Sequence, residues 1–289
     1  MIYRLLAINI DGTVLQSNGR IHKSTKDAID YVRNKGIYVT LVTSRSFASA
    51  KKVARALKLD DSIIVTHRGA YLASSDGQPI LDRRIPEEIT FDVVRLLEGF
   101  PCQIRIIDDK FSLANKYKLN HNIFAKTMYT SGDPILYSQQ FVESISDTIL
   151  DEPVSPLKIE VYFESHKELE DAKKVLNGMF EEINVVVLDE VKMDIVLGGT
   201  SKLNGLLFLG DYLGVKSSQM VVIGNDIDDL EMIEAAGLGV AMGNSSNELK
   251  RAADWITRSN NQHGVAYMVI EHFRKQQPIE FLKKMNIIK

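Results

Sequence analysis

The chain has one cysteine, Cys102, in 289 residues, so an internal disulfide is excluded and a reducing compartment is the compatible one. No metal-type spacing accompanies it, and it reads as a small buried hydrophobe. No run of about 18 apolar residues occurs, which leaves nothing to span a membrane as a helix. The apolar run after Arg4 is too short for a secretory leader and leads straight into Asp11, so the expected location is cytoplasmic. The formal net charge of −3 gives no general attraction to nucleic acid or anionic lipid. There is no internal repeat, no low-complexity tract and no G-x-G-x-x-G after a strand, the last of which argues against a dinucleotide-binding protein. What is present is ordinary for a globular protein: 45% hydrophobic and 25% charged residues.

The most informative stretch is LLAINIDGT, Leu5 to Thr13. A short apolar run stopped by polar residues and a glycine reads as a strand buried on both faces, the kind found inside a parallel sheet. Residues 1–83 then alternate. A helix opens near Ser24, carries Ala28, Ile29 and Val32 at helical spacing, and closes at Gly36. A strand over Ile37–Thr43 follows, then a helix with Ala50, Val53, Ala54 and Leu57 on one face, then a third strand ending at Thr66. This order predicts a right-handed parallel α/β sheet.

The middle reads differently. It holds a helix over Ile89–Leu97, two strands (QIRIID and KFSLAN), a loop-rich stretch, the strand LKIEVYFES, a helix over Leu169–Phe180 and the strand NVVVLD. Adjacent strands followed by helices indicate an α+β insert. The parallel pattern resumes with MDIVLGGTSK, a helix over Leu203–Leu213 and the strand MVVIG. The expected organisation is a Rossmann-like parallel core over 1–83 and 191–289, with an inserted α+β cap over 84–190.

Three strands end in small polar or acidic residues: Asn9 and Asp11, then Thr43, Ser44 and Arg45, then Asn225, Asp226, Asp228 and Asp229. In a parallel sheet these ends share one edge, where ligands bind. Lys202 stands in GGTSK at a helix start. Carboxylates, a hydroxyl and a lysine converging describe a magnesium and phosphate site, since Mg²⁺ takes hard oxygen ligands and the lysine balances phosphate charge. Taken singly, each residue has a blander reading as turn, cap or solvated charge.

With these motifs in this order, the chain resembles the haloacid dehalogenase superfamily, and within it the Cof-type phosphatases with a large α+β cap between the second and third motifs. The motif D-x-D-G-T corresponds to Asn9, Ile10, Asp11, Gly12 and Thr13, and T-G-R to Thr43, Ser44 and Arg45. The third motif is Lys202, and G-D-x-x-N-D corresponds to Gly224, Asn225, Asp226, Ile227, Asp228 and Asp229. EMIEAAGLGVAMGN, a later T-x-x-N and HGVA are similar to the family's C-terminal segment. The resemblance implies a Mg²⁺-dependent phosphatase of small phosphorylated metabolites such as sugar phosphates, with no obligatory protein partner evident. It implies an aspartyl phosphate at position 9 and acid/base work by Asp11. It also implies phosphate binding by Thr43, Ser44, Arg45 and Lys202, metal ligation around Asn9, Asp11, Asn225, Asp226, Asp228 and Asp229, and a cap that supplies substrate contacts.

The departures fall on the chemistry. Asn9 is an amide where covalent catalysis needs an ionised carboxylate, and Asn225 stands where the family has a metal-ligating acid. Asp228 replaces an Asn, Ser44 a Gly, and HRGA (His67–Ala70) stands where relatives commonly carry N-G-A, which puts Arg68 near the phosphate edge. Three readings stay open. The chain is a working phosphatase with a rewired site, or an impaired relative that binds a phosphorylated ligand as sensor or partner protein. The third reading is an Asn9 introduced to trap substrate, against which the second amide argues.

Overall fold

The computed structural model describes residues 2–109, 111–117 and 139–288. Much of the loop-rich stretch expected ahead of LKIEVYFES, and Lys110 of KFSLAN, lie outside these residues. The chain divides into two compact units, Met1–Ile80 with Ser201–Lys289, and Leu81–Thr200.

The first unit is built on a parallel sheet. Strand β1 (Leu5–Ile8) is wholly buried and lies between β2 (Tyr38–Leu41) and β12 (Met220–Gly224), with β13 (Leu238–Ala241) and β14 (Trp255–Ile256) beyond β12. Ile8 pairs with both Leu41 and Ile223, so the residues that follow β1 and β12 emerge side by side. One face of the sheet, with Leu6, Ile8, Val39, Leu41, Val221, Ile223 and Val240, is covered by helices α1 (Lys23–Asn34), α2 (Phe47–Ala56) and α9 (Gly264–Phe273) through Ile29, Val32, Ala50, Val53, Val269 and Phe273. The α1 apolar stripe is the one expected, but its cap is His22, whose Nδ1 accepts from the Ser24 backbone N–H at 3.2 Å. Ser24 therefore sits inside the helix.

Strand β3 (Ile64–Thr66) departs from the expected parallel ladder. It meets the residue just past β2 in a single parallel bridge, Val42 to Val65, and pairs antiparallel with β4 (Tyr71–Ala73), followed in that small sheet by β5 (Pro79–Asp82). The reason is the turn between them: His67, Arg68 and Gly69 all have positive φ, at 49°, 61° and 93°, which sends the chain straight back.

The second unit is an antiparallel-rich sheet in the order β10-β11-β9-β6-β7-β8, comprising β6 (Cys102–Ile107), β7 (Ser112–Asn115), β8 (Gln139–Val142), β9 (Lys158–Phe163), β10 (Ile183–Asp189) and β11 (Lys192–Leu197). Helices α3 (Glu87–Leu97), α4 (Ile145–Asp151) and α5 (His166–Met179) share its apolar core with Ile104, Ile106, Val161, Phe163, Met193 and Ile195. The expected boundaries need correction. Lys192–Leu197 pairs antiparallel with β10 and β9 and so belongs to the insert, and the chain returns at Ser201 rather than 191. The other crossing falls after Ile80 rather than after residue 83. A β-branched run reads the same in either kind of sheet, which is why sequence pattern placed β11 on the wrong side.

Back in the first unit, helix α6 (Lys202–Leu213) is capped by Ser201, whose side chain accepts from the Asn204 N–H at 3.1 Å. Its first turn lies against Gly69, where a Cβ would collide with the Ser201 carbonyl, so the left-handed turn and the Lys202 end of the helix are locked together. We predict that Gly69→Ala destabilises the protein by about 2–4 kcal/mol in denaturant unfolding, combining a collision with left-handed strain. Gly19→Ala, also at positive φ but in open space, is expected to lose only about 1 kcal/mol.

Candidate active site

Asn9 follows the central strand, held by its backbone N–H to Ile223 O at 3.0 Å. Residues 10–14 then curl in a tight irregular turn that passes through Gly12 at φ 64°. A Cβ at Gly12 would run into the Asn225 side chain, so glycine lets the two strand ends approach. Asn244 Nδ2 braces the turn at Gly12 O (2.9 Å), and Asn260 donates its N–H to Asn244 Oδ1 (3.0 Å) and its Nδ2 to Leu15 O (2.9 Å). Both asparagines lie in the AMGN and T-x-x-N segments, to which the sequence reading gave no role. Their signal was only the family-like pattern itself.

At the centre is the Asp229 carboxylate, with no solvent exposure. Its Oδ2 accepts from Asn9 Nδ2 at 3.0 Å, Asn225 N–H at 2.9 Å and Asp226 N–H at 3.1 Å, and its Oδ1 accepts from Lys202 Nζ at 2.7 Å. The Asn225 Oδ1 accepts from Asn9 Nδ2 at 3.2 Å and from the Thr13 hydroxyl at 2.8 Å, while Asn9 Oδ1 accepts from Ile10 N–H at 2.7 Å. Lys202, itself buried, also reaches Asp228 Oδ2 at 3.0 Å, and Arg68 pairs with Asp228 Oδ1 through Nη2. Burial by itself would lower the Lys202 ammonium, but the charges of Asp228 and Asp229 outweigh it and hold the lysine above its ordinary value. Burial pushes the Asp229 carboxyl up, against the pull of Lys202, and the Asp228 charge beside it pushes the same way.

A second ion pair borders this cluster. Arg45 grips Asp11 with two parallel bonds, Nε to Oδ2 at 2.7 Å and Nη2 to Oδ1 at 2.6 Å. The Asp11 side chain is 47% exposed, against 11% for Arg45. The buried Thr43 hydroxyl accepts from the Arg45 N–H at 3.2 Å, and Ser44 is half-buried in the same bend.

The fold thus gathers Asn9, Asn225, Asp228, Asp229 and Lys202 into one bonded cluster, and places Thr43 and Arg45 with Asp11. Asp226 contributes its backbone, while its side chain is exposed. Arg68, which the sequence puts near the phosphate edge, pairs with Asp228. Thr13 enters as the donor that fixes Asn225.

The donors at this edge do not fit a magnesium ion, which wants uncommitted anionic oxygens. Asn9 turns its amide nitrogen on Asp229, Asp228 and Asp229 hold Arg68 and Lys202, and Asp11 holds Arg45. Among the described residues no group of three or more His, Cys, Asp or Glu side chains is placed to hold a metal.

A parallel α/β core with an α+β insert, and these four motifs at one strand edge, are the arrangement that the resemblance to the haloacid dehalogenase superfamily implies. A profile of the haloacid dehalogenase-like hydrolases matches residues 6–269, and the chain belongs to that family, with its Cof-type members. It is 50% identical over 287 residues to the stress response protein YhaX of Bacillus subtilis, covering 99% of each chain. It is 26% identical to 5-amino-6-(5-phospho-D-ribitylamino)uracil phosphatase YitU of the same organism, covering 93% of this chain and 97% of that one. Among solved structures, a haloacid dehalogenase-like hydrolase from Bacteroides thetaiotaomicron superposes with a TM-score of 0.80 at 21% identity, covering 93% of this chain and 99% of that one. A sugar phosphatase of subclass IIB gives 0.77 at 19%, covering 94% and 99%. No helix of the described residues is long and apolar enough to cross a membrane.

Removing Lys202 would strand two buried or half-buried carboxylates. Lys202→Met is expected to lose about 3–5 kcal/mol of stability, as when one partner of a buried pair is deleted. Because the lysine is raised above 10.5, its contribution is whole below that value and fades only as pH rises through the higher folded one. The loss should therefore be the same in urea unfolding at about pH 7 and about pH 9, both below the ordinary lysine value.

Proposed function

We propose that this chain binds a small phosphorylated metabolite of the sugar-phosphate kind at the edge formed by Thr43 and Arg45, and turns it over slowly or not at all. The observation that carries this is Asn9. Its amide is a poor nucleophile towards phosphorus, and its nitrogen is committed to the Asp229 carboxylate at 3.0 Å. The family supplies the phosphoryl chemistry of the class, yet the relative at 50% identity bears the name of a stress response protein, while the phosphatase names stand at 24–28%.

Ligand entry has a natural site. A phosphoryl group offers the same pair of oxygens as a carboxylate, so it can exchange with Asp11 on the Arg45 fork without leaving the guanidinium unpaired. Asp11 is then released as a carboxylate beside the bound group, in the place where an acid or base would act. Mg²⁺ is not part of this reading, since the carboxylates that would hold it are paired. A cytoplasmic location fits a ligand of this kind.

The experiment is a turnover assay with p-nitrophenyl phosphate and a panel of sugar phosphates, on the native chain and on Asn9→Asp, alongside calorimetric titration of the same compounds. Saturable binding by the native chain without turnover above background is expected, with any gain appearing only in Asn9→Asp. Native turnover of about 1 per second or faster, the ordinary enzyme range, would refute it, as would the absence of binding across the panel.

A further inference from the structure

Arg68 is a charged side chain with 2% exposure, buried in a site where the family resemblance places none. It is carried by a backbone that L residues rarely adopt, at φ 61° directly after His67 at 49°. That left-handed turn is held by Gly69 packing on Ser201, one residue before Lys202, so Arg68 and Lys202 are delivered together. Between them they take Asp228 and Asp229: Lys202 bonds both carboxylates, and Arg68 closes on the other oxygen of Asp228. Outliers of this sort, fixed by the surrounding structure, are where conformational strain serves a site.

The two amides complete the pattern. Asn9 Nδ2 lies 3.0 Å from Asp229 Oδ2 and 3.2 Å from Asn225 Oδ1. With carboxylates at 9 and 225 these contacts would set like charges against each other, a packing that a divalent cation relieves. With amides they are hydrogen bonds, and the remaining carboxylates are matched by resident cations.

We infer that Arg68, added beside the Lys202 that the family pattern already carries, takes the electrostatic place of a divalent metal at this edge, so that the site is charge-complete without Mg²⁺ and receives a phosphoryl anion in its absence. The second half rests on the proposed function; the first does not.

The test is calorimetric titration with MgCl₂ alone of the native chain, of Asn9→Asp/Asn225→Asp, and of that double variant carrying Arg68→Asn. Asparagine tolerates the left-handed backbone, so the turn is kept while the charge is removed. The native chain is expected to show no saturable Mg²⁺ binding in the millimolar range. The triple variant is expected to bind Mg²⁺ at least about tenfold more tightly than the double, the effect of removing a like charge from the site. Saturable Mg²⁺ binding by the native chain, or equal affinities in the two variants, would overturn the assignment. Inorganic phosphate titrated into the native chain covers the case in which a variant fails to fold: equal affinity in EDTA and in MgCl₂ supports the inference, and a tenfold tightening by MgCl₂ refutes it. Absence of phosphate binding in both would sink the anion half and the proposed function, and leave the Mg²⁺ affinities of the double and triple variants to decide the role of Arg68.

Discussion

The Asp229 carboxylate is the group on which this sheet edge depends. A charge with no solvent exposure is tolerable only if its lone pairs are filled, and here two backbone N–H groups, one amide and one ammonium fill them. The donors arrive from three places in the chain: Asn9 from the end of β1, Asn225 and Asp226 from the end of β12, Lys202 from the start of α6. The residue that permits this is Gly224, whose Cβ would occupy the space of the Asp229 side chain. The carboxylate therefore fastens the two halves of the core, which lie more than two hundred residues apart in sequence, at the point where ligands meet such sheets.

Charge decides what the site can do next. Asp11, Asp228 and Asp229 face Arg45, Lys202 and Arg68, so the strong pairs are satisfied inside the protein. These pairs are not equivalent. The buried ones resist opening because any partner left behind is desolvated, whereas Asp11 is half in water, so its pair with Arg45 can open if an incoming anion takes the largely buried guanidinium in its place. At the positions that the motif correspondence gives to the family's nucleophile and to a metal donor stand the amides Asn9 and Asn225, and Arg68 and Lys202 pair with the carboxylates beside them.

Much of this was legible in the sequence. The buried strand at Leu5–Ile8, the alternation after it, the α+β insert and the convergence of Asn9, Asp11, Thr43, Lys202 and Asp229 all follow from apolar runs ending in polar residues at one edge. What was not legible turns on information that pattern lacks. Strand β11 looks like any buried β-branched run, and only its pairing with β9 and β10 shows that it belongs to the insert. Helix α1 is capped two residues ahead of the expected Ser24, at His22, because a histidine ring nitrogen can cap as a hydroxyl does. Arg68 was seen as a departure, but a charge in a sequence does not announce its partner: its pairing with Asp228 depends on three successive positive φ angles. The bracing asparagines, Asn244 and Asn260, act through backbone carbonyls, which leave no trace in side-chain pattern.

The most direct measurement is a crystal structure of the native chain grown with millimolar magnesium chloride and inorganic phosphate. This account predicts the Arg68 guanidinium on Asp228, Lys202 bridging Asp228 and Asp229, the Asn9 amide on Asp229, and any phosphate at Arg45 and Thr43. An octahedral hydrated ion seated among Asn9, Asn225 and Asp229, with Arg68 or Lys202 displaced from its carboxylate, would contradict it.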